Sequence, residues 1–171
     1  MSQIENPTTR VTELMNMIDL GPTQSVQFLF AKLQMAQSQI CKNQAESYMK
    51  QIEGIQEEQK KCAEMIELAR KQQNEAKTNG GTTTMSKEMK DFFTERGLSW
   101  ETTGSDDKHK ADEWDYNLKS LTNYQEQIGN KTQTLMVYLQ DFIGQYNSYQ
   151  EGAMSAISSA TQTLRSIARG Q

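Results

Sequence analysis

Residues 114–167 decide the fold; they read WDYNLKSLTNYQEQIGNKTQTLMVYLQDFIGQYNSYQEGAMSAISSATQTLRSI. Mostly apolar or small residues recur in this stretch at alternating intervals of four and three. That heptad spacing lays one stripe of a helix against a partner helix, so the stretch predicts a long coiled-coil helix over residues 112–171. The stripe comprises Trp114, Leu118, Leu121, Gln125, Ile128, Thr132, Leu135, Leu139, Phe142, Tyr146, Tyr149, Ala153, Ala156, Ala160, Thr163 and Ile167.

A second long helix is predicted over residues 23–78. Its apolar residues form one series from Val26 to Ile40 and another from Ala45 to Ala69, each with the same alternation of three and four. The phase slips between Ile40 and Ala45, which predicts a stutter in the coiled coil. The expected intramolecular seam on this helix consists of Leu29, Leu33, Ile40, Ile52, Ile55 and Ile66.

The remaining residues divide into an N-terminal segment, 1–22, and an insert, 79–111. The N-terminal segment is polar but has a short apolar helix face formed by Val11, Leu14, Met15 and Ile18.

Within the insert, the run 80–84 is rich in Gly and Thr and is expected to be a loop, as is 104–107. Between them a short helix is predicted from Lys87 to Arg96, capped by Ser86 and ended by Gly97.

Composition indicates how these helices pack. Only 35% of the 171 residues are hydrophobic, and the mean hydropathy is -0.80, which is low for a globular chain. Narrow stripes on long helices need fewer apolar residues than a globular core. The predicted fold is therefore all-α, an elongated antiparallel coiled-coil hairpin of two long helices with a small mixed insert between them.

The C-terminal helix carries more apolar residues than one partner helix can cover. Met136, Ile143, Met154 and Ile157 lie outside its stripe. The stripe is therefore open to two interpretations, a seam within one chain or an interface between copies. Candidate assembly or coiled-coil interface residues are Leu118, Leu121, Ile128, Leu135, Leu139, Phe142, Tyr146, Tyr149, Ile157, Leu164 and Ile167.

Several function classes find no support in the residues. A net charge of -4 argues against binding nucleic acid, and no run is apolar and long enough to be a transmembrane segment. No catalytic motif or cofactor-binding pattern is present, and His109 lies in a charged run that favours a solvated loop.

Cys41 and Cys62 would lie roughly 30 Å apart on one helix, so we expect free thiols that fill the core. One His and two Cys do not suffice for a common zinc site, and we expect no metal.

Three stretches carry a resemblance to a known family. They are residues 28–39, FLFAKLQMAQSQ; residues 89–98, MKDFFTERGL; and residues 114–119, WDYNLK, which lead into the long C-terminal helix. In this order the chain resembles the hydrophilic translocators of type III secretion, the needle-tip and filament proteins of the EspA/SseB kind.

The resemblance implies a structural, non-enzymatic role. Such a protein is made in the bacterial cytoplasm, held by a cytosolic secretion chaperone, and secreted to the cell surface at the needle tip, with the polar start of the chain serving as the secretion signal. There it forms a homo-oligomer, a helical filament or tip ring, which meets needle and hydrophobic translocator proteins and conveys effectors toward the host cell. The alternative is a cytosolic coiled-coil adaptor or secretion chaperone.

Overall fold

The computed structural model describes residues 7–19, 25–105 and 107–170. It confirms the all-α class, with two long helices that pack antiparallel and a small mixed insert between them in the chain. The predicted boundary between the N-terminal segment 1–22 and the long helix 23–78 lies outside the described residues. The elements are α1 (Pro7–Met17), α2 (Val26–Asn79), β1 (Thr83–Thr84), α3 (Lys87–Glu95), a 3-10 turn (Thr103–Ser105), β2 (Lys108–His109) and α4 (Ala111–Arg169).

The chain divides into two compact units. One, the insert unit, is Gln51–Leu135, and the other, the terminal unit, comprises Met1–Lys50 and Met136–Gln171. Both long helices contribute to each unit. None of the helices in the described ranges is long and apolar enough to cross a membrane.

The insert unit has a continuous apolar core. Trp114 and Leu121 of α4 are fully buried, as is Phe93 of α3. Tyr124 of α4 donates a hydrogen bond to Glu58 of α2 over 2.9 Å. The three helices thus share a core that consists of Cys62, Met65, Ile66, Ala69, Ala76, Met85, Met89, Phe92, Phe93, Trp114, Leu121 and Ile128.

Helix α3 forms as its sequence predicts. The Ser86 hydroxyl accepts a hydrogen bond from the Met89 amide at 3.2 Å, which caps the first turn. Gly97 takes a left-handed φ of 63°, and the following amide, of Leu98, bonds back to the Phe93 carbonyl at 2.8 Å. This is the C-terminal arrangement that favours glycine, and it explains why the helix stops there.

The run 80–84, expected to be a loop, contains a strand. Thr83 and Thr84 pair antiparallel with His109 and Lys108. The indole nitrogen of Trp114 donates to the Thr83 hydroxyl at 2.8 Å, which ties the strand to the helical core. A two-residue strand is too short to show an alternating pattern, so periodicity could not reveal it.

His109 is likewise not the solvated loop residue that its charged neighbours suggested. It is 2% exposed and lies edge-on to Trp114, with 5.2 Å between the ring centroids. The β pairing draws the backbone inward here and turns the imidazole into the core, while Lys108 remains exposed.

In the terminal unit, the buried face of α2 is built from small residues. Ala31, Ser38, Cys41 and Ala45 are buried. They keep the same register as the buried positions Ile52, Cys62, Ile66 and Ala69 farther along, so the heptad runs through residues 31–69 without the predicted stutter.

Two residues assigned to the first apolar series lie off this face. Leu29 is 50% exposed and Val26 79% exposed, while Leu33 and Ile40 are half-buried. The small residues Ser38 and Cys41 occupy the buried positions instead, and they contact Gln150 and Gln145 of α4.

Helix α1 packs within the terminal unit. The apolar face predicted for it is half-buried. Together with Met35 and Gln39 of α2, the α1 side chain of Leu14 lines a cavity of about 410 Å³.

Candidate assembly surface

The interface candidates that fall in the insert unit are used within the chain. Leu121 is fully buried, Ile128 and Leu135 are each 8% exposed, and Leu118 packs against the same core. The Cys62 thiol lies 3.5 Å from the Leu121 carbonyl oxygen, which places α2 directly over this part of α4. These side chains therefore stabilise the fold of one chain and present little surface to another.

The candidates in the terminal unit are covered less completely. Leu139, Phe142, Tyr146, Tyr149 and Ile157 are all half-buried.

An aromatic cluster anchors part of this region. The Tyr48 ring of α2 stacks on Phe142 at a centroid distance of 5.6 Å and lies 5.7 Å from Tyr138. Such contacts contribute about 0.5–1.5 kcal/mol beyond burial alone. Tyr138 nevertheless remains 48% exposed, so the cluster reaches the surface.

Two further contacts complete this packing. The Gln150 amide donates to the Ser38 hydroxyl at 2.8 Å. Gly152 lies against Gln34, and a Cβ there would approach the amide oxygen to 3.0 Å. A glycine at this position thus lets the glutamine side chain pack closely on α4.

A set of large apolar side chains in the terminal unit is exposed. Leu164 is 46% and Ile167 58% exposed, and both belong to the predicted interface. Of the four residues predicted outside the stripe, three are exposed and Ile157 is half-buried. The exposed members on α4 are Met136, Val137, Tyr138, Ile143, Met154, Leu164 and Ile167, and those on α2 are Val26, Leu29, Phe30 and Met49.

The two units differ in their content of charged residues. Of the 40 charged residues, 28 lie in the insert unit and 12 in the terminal unit, although the units are nearly equal in length. The formal charge is -4 for the insert unit and zero for the terminal unit. The exposed apolar residues of the terminal unit therefore lie on a surface with few charges to desolvate, which lowers the cost of covering it with another protein surface.

One polar network escaped the sequence analysis. Arg96, at the end of α3, makes two bonds to the Glu58 carboxylate, one of them 2.9 Å long, and Tyr124 donates to the same carboxylate. The guanidinium also lies 3.8 Å from the Phe92 ring centroid. Glu58 and Arg96 are 38 positions apart, and no spacing rule connects them, so the sequence carried no signal for the pair.

The network shifts the pKa of each of its members. The hydrogen bond from Arg96 lowers the pKa of Glu58, and the reciprocal bond raises the pKa of Arg96. Burial, followed by the bond to Glu58, raises the pKa of Tyr124. At neutral pH the carboxylate and guanidinium are therefore both charged and hold α3 on the two long helices.

The two cysteines are free thiols in buried positions, as predicted. Burial raises the pKa of Cys62 to about 11 and also raises that of Cys41. Both groups are therefore protonated thiols at neutral pH, the less nucleophilic form. Within the described residues no three His, Cys, Asp or Glu side chains are grouped so as to hold a metal ion.

Comparison of the chain with protein families, curated proteins and solved structures finds no match.

Proposed function

We propose that this protein is a structural subunit of a type III secretion apparatus, which assembles with copies of itself at the needle tip into a filament or tip complex that conveys effectors toward the host cell. The observation that carries the proposal is the neutral terminal unit with its exposed apolar side chains. The family resemblance supplies the biological setting.

The physical basis is the surplus of apolar surface over what the fold itself covers. Monomeric proteins rarely expose large contiguous apolar patches. On α4 the exposed Ile167 continues a helix face that is buried or half-buried as far as Ala160, and the exposed Leu164 adjoins that face. Packing against another copy covers these side chains without any change in the fold of the subunit.

The proposed partners follow from the same setting. A cytosolic secretion chaperone covers the terminal unit before export, because this unit exposes the apolar side chains that would otherwise associate early. Needle proteins and hydrophobic translocators contact the assembled form outside the cell. The role is structural and needs no catalytic group or cofactor.

Truncation tests the role of the end of α4. A chain ending at Ala160 loses Leu164 and Ile167 but keeps every buried residue of α4. We expect the full chain to form large assemblies at high concentration, detected by sedimentation velocity and electron microscopy, and the truncated chain to stay small with unchanged helicity. The matched control is Gln162→Ala, an exposed change in the same turn that leaves both apolar residues in place. The proposal would be contradicted by a full chain that stays monomeric under all conditions and is found in the cytosol rather than in the supernatant or at the needle. That result would favour the adaptor or chaperone alternative.

A further inference from the structure

Helix α4 carries a second stripe beside the one that faces α2. Within the terminal unit, each member follows a member of the first stripe by one residue, so the second stripe lies about 100° farther round the helix. It keeps the alternating intervals of four and three over a length of roughly 38 Å. Its members are Met136, Gln140, Ile143, Asn147, Gln150, Met154, Ile157 and Thr161.

Most of this second stripe is open to solvent. Met136 is 40%, Ile143 43% and Met154 70% exposed, and Gln140 and Asn147 are exposed as well. The other three members are half-buried. A helix stripe with apolar side chains at this spacing is stabilised when another helix covers it, and the described part of the chain covers only some of this one.

The second stripe contains no charged side chain. Two charged residues lie between positions 136 and 161: Asp141 is on the far side of the helix, and Glu151 is exposed at the border of the stripe. Met17 of α1, which is 80% exposed, lines a cavity together with Gln150 and adds an apolar side chain near the middle of the stripe. A partner can therefore cover the members of the stripe without desolvating a charge on any of them.

We propose that the second stripe of α4 packs antiparallel against the second stripe of a second copy, with Asn147 of each copy opposite Gln150 of the other. In this register Ile143 of each copy faces Met154 of the other. Amides thus meet amides at the centre, and apolar side chains meet apolar side chains on both sides of it. Toward the ends the remaining uncharged pairs are Gln140 with Ile157 and Met136 with Thr161. This pairing is one contact of the proposed assembly and rests on that proposal.

Charge favours the antiparallel orientation. Residues 111–135 of α4, which belong to the insert unit, contain four carboxylates and two lysines. Parallel pairing would place these acidic segments of two copies side by side, whereas antiparallel pairing directs them away from each other. Two identical stripes on α4 therefore pair with less electrostatic repulsion when the helices run in opposite directions.

The contact uses the same surface on both copies. An isologous contact of this kind closes as a dimer. Leu164 and Ile167 lie beyond the last member of the stripe, so the dimer keeps two α4 ends through which it can join further dimers. The α4 pairing thus defines the building block of the filament or tip ring, and the α4 ends provide the contact by which it grows.

Cysteine cross-linking in the full chain tests the register. Ile143→Cys and Met154→Cys each place a thiol at an exposed position of the stripe, while the native Cys41 and Cys62 are buried. We expect oxidation of a mixture of the two variants to give at least about tenfold more disulfide-linked dimer than either variant alone, because like positions lie roughly 16 Å apart along the pair. Ser148→Cys, an exposed change near the centre but off the stripe, is the control and should not cross-link.

A charge placed on the stripe tests the pairing without cross-linking. Met154→Glu would bury a carboxylate against Ile143 of the second copy, so we expect the dimer dissociation constant to rise about tenfold or more in sedimentation experiments. Ser155→Glu makes the same change of charge at the exposed neighbour off the stripe and should leave the constant unchanged. Circular dichroism checks that all variants keep their helicity.

The pairing and the proposed function can fail separately. If the chain forms large assemblies but the cysteine mixture cross-links no better than either variant alone, or Met154→Glu associates like the wild type, the α4 pairing is overturned while the proposed function stands. If the cross-linked dimer forms as expected but the protein stays in the cytosol as that dimer, the pairing stands and the proposed function is overturned. A wild-type chain that never self-associates overturns both.

Discussion

Glu58 connects three helices through one carboxylate. It accepts bonds from Arg96 at the end of α3 and from Tyr124 on α4, and its side chain is only 23% exposed. Partial burial makes this pair more consequential than an exposed ion pair such as Lys42 and Glu46, which are 3.9 Å apart at the surface. The network therefore fixes the short helix on the hairpin where apolar packing alone leaves its end exposed.

The first prediction concerns this carboxylate. Glu58→Gln keeps the shape of the side chain but removes the charge, and we expect a loss of about 1–2 kcal/mol in the free energy of unfolding, because charge-assisted hydrogen bonds are lost. Urea denaturation at neutral pH measures the loss. Glu57→Gln, the exposed neighbour, is the control and is expected to change stability by less than about 0.5 kcal/mol.

The same variant gives a pH dependence with a defined sign. The pKa of Glu58 is lowered in the folded state, so its contribution is complete above its unfolded pKa of about 4.3 and is lost as the pH falls through the lower folded value. The difference between wild type and Glu58→Gln should therefore be largest near about pH 6 and shrink below about pH 4. A difference that stays constant down to about pH 2 would show that the charge does not matter.

The second prediction concerns the buried indole of Trp114. Thr83→Val removes the hydroxyl that accepts its N–H and keeps a residue that suits a strand. We expect a cost of about 1–2 kcal/mol, because the indole donor is left buried without an acceptor and the bond from the Thr83 hydroxyl to the Gln72 carbonyl is also lost. Urea unfolding followed by tryptophan fluorescence measures this cost. Thr84→Val changes the exposed residue next in the strand, and an equal loss there would contradict the assigned role of the bond.

At the scale of elements, the sequence was informative where side-chain spacing follows helix geometry. The α4 stripe from Trp114 to Ala160 lies on the buried or half-buried face, and the start and end of α3 lie within one residue of prediction. In α2 the predicted seam fits less well, since Leu29 is 50% exposed and Ile40 is only half-buried. The actual seam there contains Ser38 and Cys41, whose value lies in their small size opposite α4, a property that depends on the partner helix.

Residue-scale placement was harder to predict for the same physical reason. His109 and the Glu58 pair depend on contacts between residues far apart in the sequence. The candidate surface was predicted in part, since Leu164 and Ile167 are exposed while Leu121 and Ile128 are buried in the chain's own core. Which apolar positions of a stripe remain uncovered depends on where the partner helix ends, and a single helix pattern does not encode that.

The third prediction concerns the start of α3. Ser86→Ala removes the hydroxyl that accepts the Met89 amide, and we expect a loss of about 1 kcal/mol. Thermal or urea unfolding measures the effect. The exposed Ser99, in the loop after α3, provides the matched control as Ser99→Ala. Equal losses from the two variants would indicate a general effect of serine removal rather than a cap.

At the scale of the whole molecule, charge is distributed unevenly between the insert unit and the terminal unit. The insert unit carries the entire net charge of -4, and the terminal unit is neutral. Like-charged insert units repel one another, whereas neutral terminal units do not. Self-association should therefore involve the terminal unit and depend on what neutralises the insert unit.

The fourth prediction is the salt dependence of assembly. Raising NaCl from about 0.05 M to about 0.5 M shortens the screening length severalfold, so we expect repulsion between the acidic insert units to fall and association through the neutral terminal units to strengthen. Light scattering and sedimentation at matched protein concentration follow this change. Association that weakens steadily with salt would assign the contact to oppositely charged groups and contradict apolar burial between neutral terminal units.

The small β pair also closes a loop in which a tag can be inserted. Pairing of β1 with β2, together with the 2.7 Å bond from the Met85 amide to the Asp107 carbonyl, closes the base of the loop whose exposed tip includes Gly104. Residues added at such a tip extend into solvent and need not displace the helices that enter and leave it. An epitope tag inserted at Gly104 would thus mark each subunit and leave the end of α4 unaltered.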